Sequence, residues 1–235
     1  MMDDLSLESL FGNLSGKNVV ITGGSKGVGL MIAAGFAQQN ANVYILSRKP
    51  DDEATARLNS MGKGVCKGFA CDVANHDAIK SFAETLAREV GDKGVYCLIN
   101  NSGAVWAEGF DTTTKQSFDK LMNVNVTGLF FMSQALAPLL DLAANESNPA
   151  RIINIASIDG MGVPTFEEYA YAASKAAVIH MTRVMAGNLA QRHITCNSIS
   201  PGLFPSKMGD QVLNAGGEDI VKFSIPMGRA GLVSE

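Results

Sequence analysis

The sequence predicts an α/β fold, a single domain spanning 1–235 in which helices cover both faces of a doubly wound parallel sheet. Short apolar runs rich in β-branched residues alternate with longer stretches of helical periodicity, which is typical of β-α-β units. The predicted strands are apolar throughout rather than at every second position, so both faces of the sheet are expected to be buried. The length of 235 residues suits one domain.

Each predicted element follows from its local pattern of apolar residues. The predicted strands cover 19–21, 43–46, 64–69, 95–99, 151–155 and 194–199. Helical periodicity is found over roughly 27–39, 51–60, 76–90, 115–143 and 167–191. The segment 203–227 mixes glycine and proline with large apolar residues and shows no clear strand. We interpret it as a partly helical flap over a substrate.

The composition excludes several classes of protein. The formal net charge is -4 and no basic patch dominates, which argues against a nucleic-acid partner. The four cysteines form no CxxC pair and have no histidine cluster near them, so free thiols in a reducing compartment are expected and a metal site is not. The N-terminus lacks the apolar core of a signal peptide. The apolar stretch 124–140 contains polar residues, which favours a buried helix over a membrane span. A cytoplasmic protein with a small-molecule substrate is expected.

A glycine-rich turn joins the first predicted strand to the first predicted helix. It runs from Thr22 to Gly29 with the spacing Gly-x-x-x-Gly-x-Gly. Glycines let the backbone turn tightly, and a helix N-terminus offers free N–H groups and a positive dipole end to a diphosphate. Such a turn can be only a tight loop, but its position between strand and helix favours dinucleotide binding. The predicted contacts are Gly23, Ser25, Lys26, Gly27, Val28 and Gly29.

The end of the second predicted strand indicates which dinucleotide binds. NAD-binding folds usually carry an acidic residue there, which bonds the ribose 2′-hydroxyl. Here the sequence reads Leu46-Ser47-Arg48-Lys49, so a base replaces the acid. Arg48 can hold a 2′-phosphate with its planar guanidinium, and Lys26 can add positive charge. NADP is therefore favoured over NAD, the alternative being that Arg48 and Lys49 only solvate a loop.

Tyr171 and Lys175 are the predicted centre of the chemistry. They stand four residues apart in a helical pattern and so share one face. A lysine ammonium stabilises a phenolate, which predicts a lowered pKa for Tyr171 and a proton transfer to or from a substrate oxygen. Ser157, at the end of the fifth predicted strand, is a candidate to bond the same oxygen. Tyr169 has alanine rather than lysine four residues on, so we interpret it as a packing residue.

Taken together, these motifs resemble the short-chain dehydrogenase/reductase family over nearly the whole chain. The resemblance extends to an Asp-Val pair, an Asn-Asn-Ser-Gly segment and a Pro-Gly after the sixth strand, with Ser206 where a threonine is usual. It implies a Rossmann-like fold, catalytic roles for four residues and further cofactor contacts. The implied catalytic residues are Asn125 (which supports a proton-relay water), Ser157, Tyr171 and Lys175. The implied further cofactor contacts are Ser47, Arg48, Asp72, Val73, Asn101, Ser102, Gly103, Tyr171, Lys175, Pro201 and Gly202.

The resemblance also implies an activity: NADPH-dependent reduction of a carbonyl to a secondary alcohol, or the reverse. Several stretches are similar to the β-ketoacyl reductases linked to rhamnolipid synthesis and to fungal reductases, which suggests a 3-oxoacyl thioester substrate. Polyol, sugar or other small-ketone dehydrogenation is the alternative. A catalytically weak, regulatory dinucleotide-binding protein is the alternative from another class. The family habit implies a homo-oligomer, a dimer or tetramer, although the chain is expected to lack the family's final helix and edge strand.

Overall fold

The computed structural model describes residues 13–206, 221–222 and 225–232. Six parallel strands form one sheet in the order β3-β2-β1-β4-β5-β6. The strands are β1 (Asn18–Thr22), β2 (Asn42–Ser47), β3 (Cys66–Ala70), β4 (Cys97–Asn100), β5 (Ala150–Ile155) and β6 (Ile194–Ile199). The predicted doubly wound parallel sheet is confirmed, and every strand end lies within two residues of the expected position.

Helices connect the strands and lie on both faces of the sheet. They are α1 (Gly27–Gln38), α2 (Asp52–Asn59), α3 (His76–Val90), α4 (Lys115–Met122), α5 (Gly128–Ala143) and α6 (Tyr169–Leu189). Side chains of α1 and α2 pack on one face of the sheet. Side chains of α3, α5 and α6 pack on the other, which carries the larger core. Burial on both faces explains why the strands are continuously apolar.

The segment 115–143 is long and apolar enough to cross a membrane by length and composition alone. In the fold it packs against the sheet, and Met132, Leu136 and Leu140 are fully buried there. Each such side chain contributes about 1.5–3 kcal/mol through burial. The segment is therefore a core element of the domain, as its interrupting polar residues predicted.

This segment is not one regular helix, however. A π-helical turn, Asn123–Thr127, separates α4 from α5. Asn125 lies in this turn, and its side-chain amide bonds both backbone groups of Ala104 in the loop after β4. The periodicity could not predict the turn, because it depends on a contact with a distant loop. π-Helical turns are frequent at functional sites.

The sheet changes direction of winding between β1 and β4. After β3 the chain returns across β1, and β4 pairs with β1 through Val19–Cys97 to Ile21–Ile99. A crevice forms at the carboxyl ends of such neighbouring strands, where the loops diverge to opposite faces. The glycine-rich turn follows β1, and the Asn-Asn-Ser-Gly segment begins at the end of β4. The topology therefore brings two separately predicted motifs to one place.

Candidate active site

The glycine-rich turn and the segment after β4 are joined by hydrogen bonds. The Thr22 hydroxyl oxygen accepts from the backbone N–H groups of Asn101 at 3.0 Å and Ser102 at 2.9 Å. The Asn101 amide donates to the carbonyl oxygens of Thr22 at 3.0 Å and Gly23 at 3.2 Å. Asn101 and Ser102 therefore fix the shape of the turn from across the sheet. Gly103 follows, and a Cβ there would lie 3.5 Å from Lys175 Nζ.

The conformation of the turn requires glycine at three positions. Gly23 and Gly27 have φ of 67° and 53°, a backbone conformation that residues other than glycine rarely adopt. A Cβ on Gly29 would lie 2.3 Å from the Gly23 carbonyl oxygen, so only glycine fits. Helix α1 begins at Gly27, and no side chain caps it at Lys26. Its first N–H groups are available to an anion.

The groups expected around the cofactor's adenosine end lie beyond β2 and β3. Arg48 and Lys49 are exposed, and Arg48 makes no hydrogen bond or ion pair within the described part of the chain. The Ser47 hydroxyl donates to the Lys49 carbonyl, which folds this loop over itself. Asp72 Oδ1 accepts from Ala74 N at 3.0 Å, so the carboxylate also shapes its own loop. Val73, the other half of the Asp-Val pair, is buried.

Lys175 and Tyr171 lie side by side at the start of α6, both almost fully buried. Lys175 Nζ donates to the Ile155 carbonyl at the end of β5 at 2.8 Å and lies 5.6 Å from the centre of the Tyr171 ring. Burial lowers the pKa of Lys175 to about 8. The ammonium is thus oriented by the main chain of the sheet rather than by the tyrosine hydroxyl.

The predicted lowering of the Tyr171 pKa is wrong for this structure. Burial raises the pKa of Tyr171 to about 12, the negative charges of Asp159 and Glu168 add to the rise, and a hydrogen bond with Ser157 opposes it. The prediction failed first because the phenol is buried, and further because Asp159 and Glu168, from other elements, lie near it while Lys175 Nζ donates to Ile155. Tyr171 is therefore a neutral phenol around pH 7, the form that donates a proton.

Asn125 and Ser157 complete the group that the sequence singled out. Asn125 Oδ1 accepts from Ala104 N at 2.8 Å, and its Nδ2 donates to Ala104 O and to Ser174 Oγ, each at 2.9 Å. Asn125 thereby joins the loop after β4 to α6. The Ser157 hydroxyl donates to Asp159 Oδ2 at 2.8 Å. All four predicted catalytic side chains are buried and lie at the carboxyl edge of the sheet.

Sequence reasoning missed Asp159 and Glu168. Asp159 lies in a short 3-10 turn, Ile158–Gly160, and Glu168 is the buried residue that precedes α6. Burial, followed by the charge of Asp159, raises the pKa of Glu168 to about 7. An acid two residues after Ser157 was the available signal, because short polar side chains at that spacing often bond one another in turns.

Tyr169 is a surface residue rather than a core residue. Its hydroxyl donates to Glu167 Oε1 at 2.8 Å, and its ring packs edge-on against Phe110 with ring centres 5.6 Å apart. Its side chain is partly exposed and is held by its neighbours. This agrees with the interpretation that it packs locally.

An apolar cleft of about 250 Å³ adjoins Ser157. Its described lining includes Ile158, Leu203, Phe204, Ile225 and Met227, with Arg229 as a charged member. Pro201 and Gly202 lie beside it, and the Pro201 carbonyl accepts from Ile158 N at 3.3 Å. Residues 207–220 and 223–224 of the predicted flap lie outside the described residues.

The remaining sites expected from the sequence concern thiols and metals. All four cysteines are free and buried. Burial raises the pKa of Cys97 to about 12 and the pKa values of Cys71 and Cys196 to about 11, which makes their thiols unreactive. Within the described ranges, no group of three or more His, Cys, Asp or Glu side chains is placed to hold a metal ion.

Comparison with known proteins identifies the class to which this fold and site belong. A family model described as short chain dehydrogenase matches residues 17–215. The chain belongs to this family and is an oxidoreductase.

Individual relatives give a finer picture. The rhamnolipids biosynthesis 3-oxoacyl-[acyl-carrier-protein] reductase of Pseudomonas aeruginosa is 34% identical over 95% of this chain and 87% of its own length. The D-threitol dehydrogenase of Mycolicibacterium smegmatis is 29% identical over 96% of this chain and 84% of its own length. The structure of a Pseudomonas aeruginosa RhlG/NADP active-site complex superposes with a TM-score of 0.87 and 36% identity, covering 94% of this chain and 86% of that one.

Proposed function

We propose that the protein is an NADPH-dependent reductase that converts a carbonyl to a secondary alcohol, and that it can also run in reverse. The observation that carries this is Tyr171: a buried phenol, neutral around pH 7, beside Lys175. Lys175 Nζ in turn lies near Gly103, in the segment whose Asn101 bonds the glycine-rich turn. Tyr171 is a buried proton donor at the carboxyl edge of the sheet, the edge that also carries the glycine-rich turn. Such a donor suits protonation of a carbonyl oxygen that gains negative charge as the carbonyl is reduced.

In this mechanism each residue has one role. NADPH, when bound, would supply the hydride that the carbonyl carbon needs. Tyr171 would donate its proton to the carbonyl oxygen. Ser157 bonds the same oxygen and orients it. Lys175 supplies positive charge beside the phenol as the phenolate forms, and would also hold the cofactor's nicotinamide ribose. Asn125 keeps the loop after β4 and helix α6 in register around the site.

The cofactor choice rests on charge at the end of β2. NADP carries a 2′-phosphate, and Arg48, just after β2, and Lys26, in the glycine-rich turn, are both exposed cations that could bind it. The remaining proposed contacts are those predicted from sequence, and the close packing of Gly29 against Gly23 and Asn101 supports those within the glycine-rich turn. The relative whose structure contains NADP agrees with this choice.

For the substrate we propose a 3-oxoacyl thioester. The apolar lining of the cleft beside Ser157 suits a hydrocarbon chain, and the 3-oxoacyl reductase among the relatives acts on such a compound. The segment 203–227 would serve as the flap of this cleft. A polyol or other small ketone is the second candidate, which the D-threitol dehydrogenase relative favours.

The proposal includes a cytoplasmic location and self-association as a dimer or tetramer. The long helices α5 and α6 are the expected interface elements. Their outer faces carry the exposed apolar side chains of Phe130 and Val184, which favours burial against a second copy.

A substrate panel tests the activity. NADPH oxidation should be measured with 3-oxoacyl thioesters of several chain lengths, simple ketones and ketoses, and NADP reduction with polyols. We expect turnover of 3-oxoacyl thioesters with kcat/KM rising with chain length, because longer chains bury more apolar surface. Faster turnover of polyols would favour the second candidate, and no turnover with any compound would overturn the proposal.

Arg48→Ala tests the cofactor choice, with Arg57→Ala as the matched control. Arg57 is also an exposed arginine and lies on the next helix, α2. A charged hydrogen bond contributes about 1.5–3 kcal/mol, so Arg48→Ala should weaken NADPH binding roughly 10- to 100-fold. NADH binding should not change, and Arg57→Ala should change neither. Equal affinities for both cofactors in the unsubstituted protein and in Arg48→Ala would contradict the assignment.

A further inference from the structure

The hydroxyl hydrogen of Ser157 has two possible acceptors. A serine hydroxyl has one hydrogen and two lone pairs. In the structure Ser157 donates that hydrogen to Asp159 Oδ2 at 2.8 Å, and its oxygen accepts from Asp159 N at 3.2 Å. Asp159 therefore holds both ends of the serine hydroxyl, and one lone pair of the oxygen remains.

Tyr171 competes with Asp159 for the same hydrogen. A hydrogen bond from Ser157 is the interaction that favours the phenolate of Tyr171, since it stabilises the charged oxygen. While the hydrogen is donated to Asp159, the phenolate cannot receive it. The Tyr171 hydroxyl can instead donate to the remaining lone pair of Ser157, which requires a protonated tyrosine.

The charge of Asp159 acts in the same direction. The titratable groups around the Tyr171 phenol come from three elements: α6 itself, the 3-10 turn after β5 and the residue before α6. They are Lys175, Asp159 and Glu168. Both carboxylates, when ionised, oppose a negative phenolate. Asp159 thus influences Tyr171 through the serine and through its own charge.

We propose that Asp159 is a positioning residue that keeps Tyr171 protonated by holding the Ser157 hydrogen and by its negative charge, which biases the site toward carbonyl reduction. This rests on the proposed function for the direction of reaction, but not for the effect on the tyrosine. Substrate binding would release the hydrogen when Ser157 turns to the carbonyl oxygen. No atom is gained or lost in this exchange, because one hydrogen moves between two acceptors.

Two substitutions test the contribution of the Asp159 charge. Asp159→Asn removes the charge but keeps an acceptor oxygen, and Asp159→Glu keeps the charge and a carboxylate acceptor. Glu167→Gln is the matched control, since Glu167 lies on the same loop but bonds Phe110 N and the Tyr169 hydroxyl. The Tyr171 phenolate is followed by absorbance after rapid jumps to alkaline pH, read before unfolding. The signal of Tyr171→Phe is subtracted, and each series is run with and without NADP.

We expect Asp159→Asn to lower the pKa of Tyr171 by about one unit or more, because a neighbouring charge shifts a pKa by about that amount. Asp159→Glu should restore most of the original value, and Glu167→Gln should leave it unchanged. Coincident titrations of the unsubstituted protein and Asp159→Asn would overturn the proposal. So would a full shift in Glu167→Gln, since the effect would then be general.

Turnover gives an independent readout. Reduction needs the protonated tyrosine, so its rate falls as pH rises through the Tyr171 pKa, and in Asp159→Asn this fall should begin about one unit lower. Oxidation needs the phenolate and should be faster in Asp159→Asn at a fixed alkaline pH. A shifted titration without turnover of any substrate would sink the proposed function and leave the role of Asp159 standing. Turnover with unshifted titrations would do the opposite.

Discussion

The two halves of the carboxyl edge of the sheet are built differently. In the half formed by β1, β2 and β3, the charged side chains Lys26 and Arg48 are exposed, and backbone geometry shapes the site. In the half formed by β4, β5 and β6, the charged or ionisable side chains Tyr171, Lys175 and Glu168 are buried, and burial changes their pKa values.

The difference shows that the two halves perform distinct physical tasks. The first half must accept a highly charged ligand, and exposed cations with free N–H groups do so without a desolvation cost to the empty protein. The second half must set the protonation of one oxygen, and only groups in a low-dielectric environment shift a pKa far enough. Substitutions in the first half should therefore weaken cofactor binding, whereas substitutions in the second half should lower kcat.

The largest expected effect is a loss of kcat from a substitution in the half formed by β4, β5 and β6. Tyr171→Phe removes the proton donor and should lower kcat by roughly 10²- to 10⁴-fold, the range for loss of a general acid. NADPH affinity, measured by fluorescence titration, should remain within about threefold, since the phenol hydroxyl is one of many contacts.

Tyr169→Phe is the matched control, because Tyr169 is the other tyrosine of the same helix and its hydroxyl faces Glu167. It should retain the kcat of the unsubstituted protein. Comparable losses in both variants would mean that packing at the start of α6, and not the Tyr171 proton, limits the rate.

Gly29→Ala should distort the glycine-rich turn, in the half formed by β1, β2 and β3. Its Cβ would lie 2.3 Å from the Gly23 carbonyl oxygen and 2.4 Å from Asn101 Nδ2, so the turn must shift. We expect the free energy of unfolding to fall by about 2 kcal/mol and NADPH affinity to fall about tenfold. Urea unfolding and cofactor titration measure the two effects.

Gly35→Ala is the control for that substitution. Gly35 lies on the same helix, α1, and a Cβ there has nothing within 4 Å. Alanine should stabilise the helix by about 0.5–1 kcal/mol and leave NADPH binding unchanged. A loss of cofactor affinity in this variant would indicate that α1 tolerates no substitution at all. The effect of Gly29→Ala would then not be evidence that the turn at Gly29 binds the cofactor.

The smallest expected effect concerns stability and pH. The folded-state pKa of Glu168 is raised from 4.5 to about 7, so the folded protein holds this proton more tightly than the unfolded chain. The proton stabilises the fold fully below about pH 4.5, and this stabilisation is lost as pH rises toward about 7. Glu168→Gln should remove a pH dependence on the order of 2 kcal/mol between those limits.

Urea unfolding at acidic and at mildly alkaline pH measures this change. Glu146→Gln serves as the control, since Glu146 is exposed in the loop between α5 and β5. The free energy of unfolding could instead depend on pH equally in Glu168→Gln and in the unsubstituted protein. Glu168 would then ionise freely in the fold, and burial would not change its pKa.

The contrast also explains what the sequence could and could not predict. The glycine-rich turn is local: its residues, their positive φ values and the helix that follows lie within one short stretch, so the pattern predicts the shape. The six strands are also local apolar runs, and their order follows from the rules for parallel sheets. Tyr171 and Lys175 could be placed on one face from their spacing.

The protonation of Tyr171 could not be predicted in this way. It depends on burial and on two carboxylates, Asp159 and Glu168, whose proximity is set by the packing of the turn after β5 against α6. The direction of Lys175 depends on the Ile155 carbonyl at the end of β5. Spacing along a helix places a side chain on a face but does not say which acceptor it finds.

The π-helical turn Asn123–Thr127 has a consequence for how this chain can change. Such a turn holds one more residue than a regular helical turn, and it accommodates that residue without changing the rotational phase of the helix that follows. Loss of a single residue here would let the chain continue as a regular helix, and Leu136 and Leu140 would keep their places on the sheet. Asn125 would lose the geometry that sets its amide against both backbone groups of Ala104. A one-residue deletion in this stretch should therefore leave the core packed and disrupt the site.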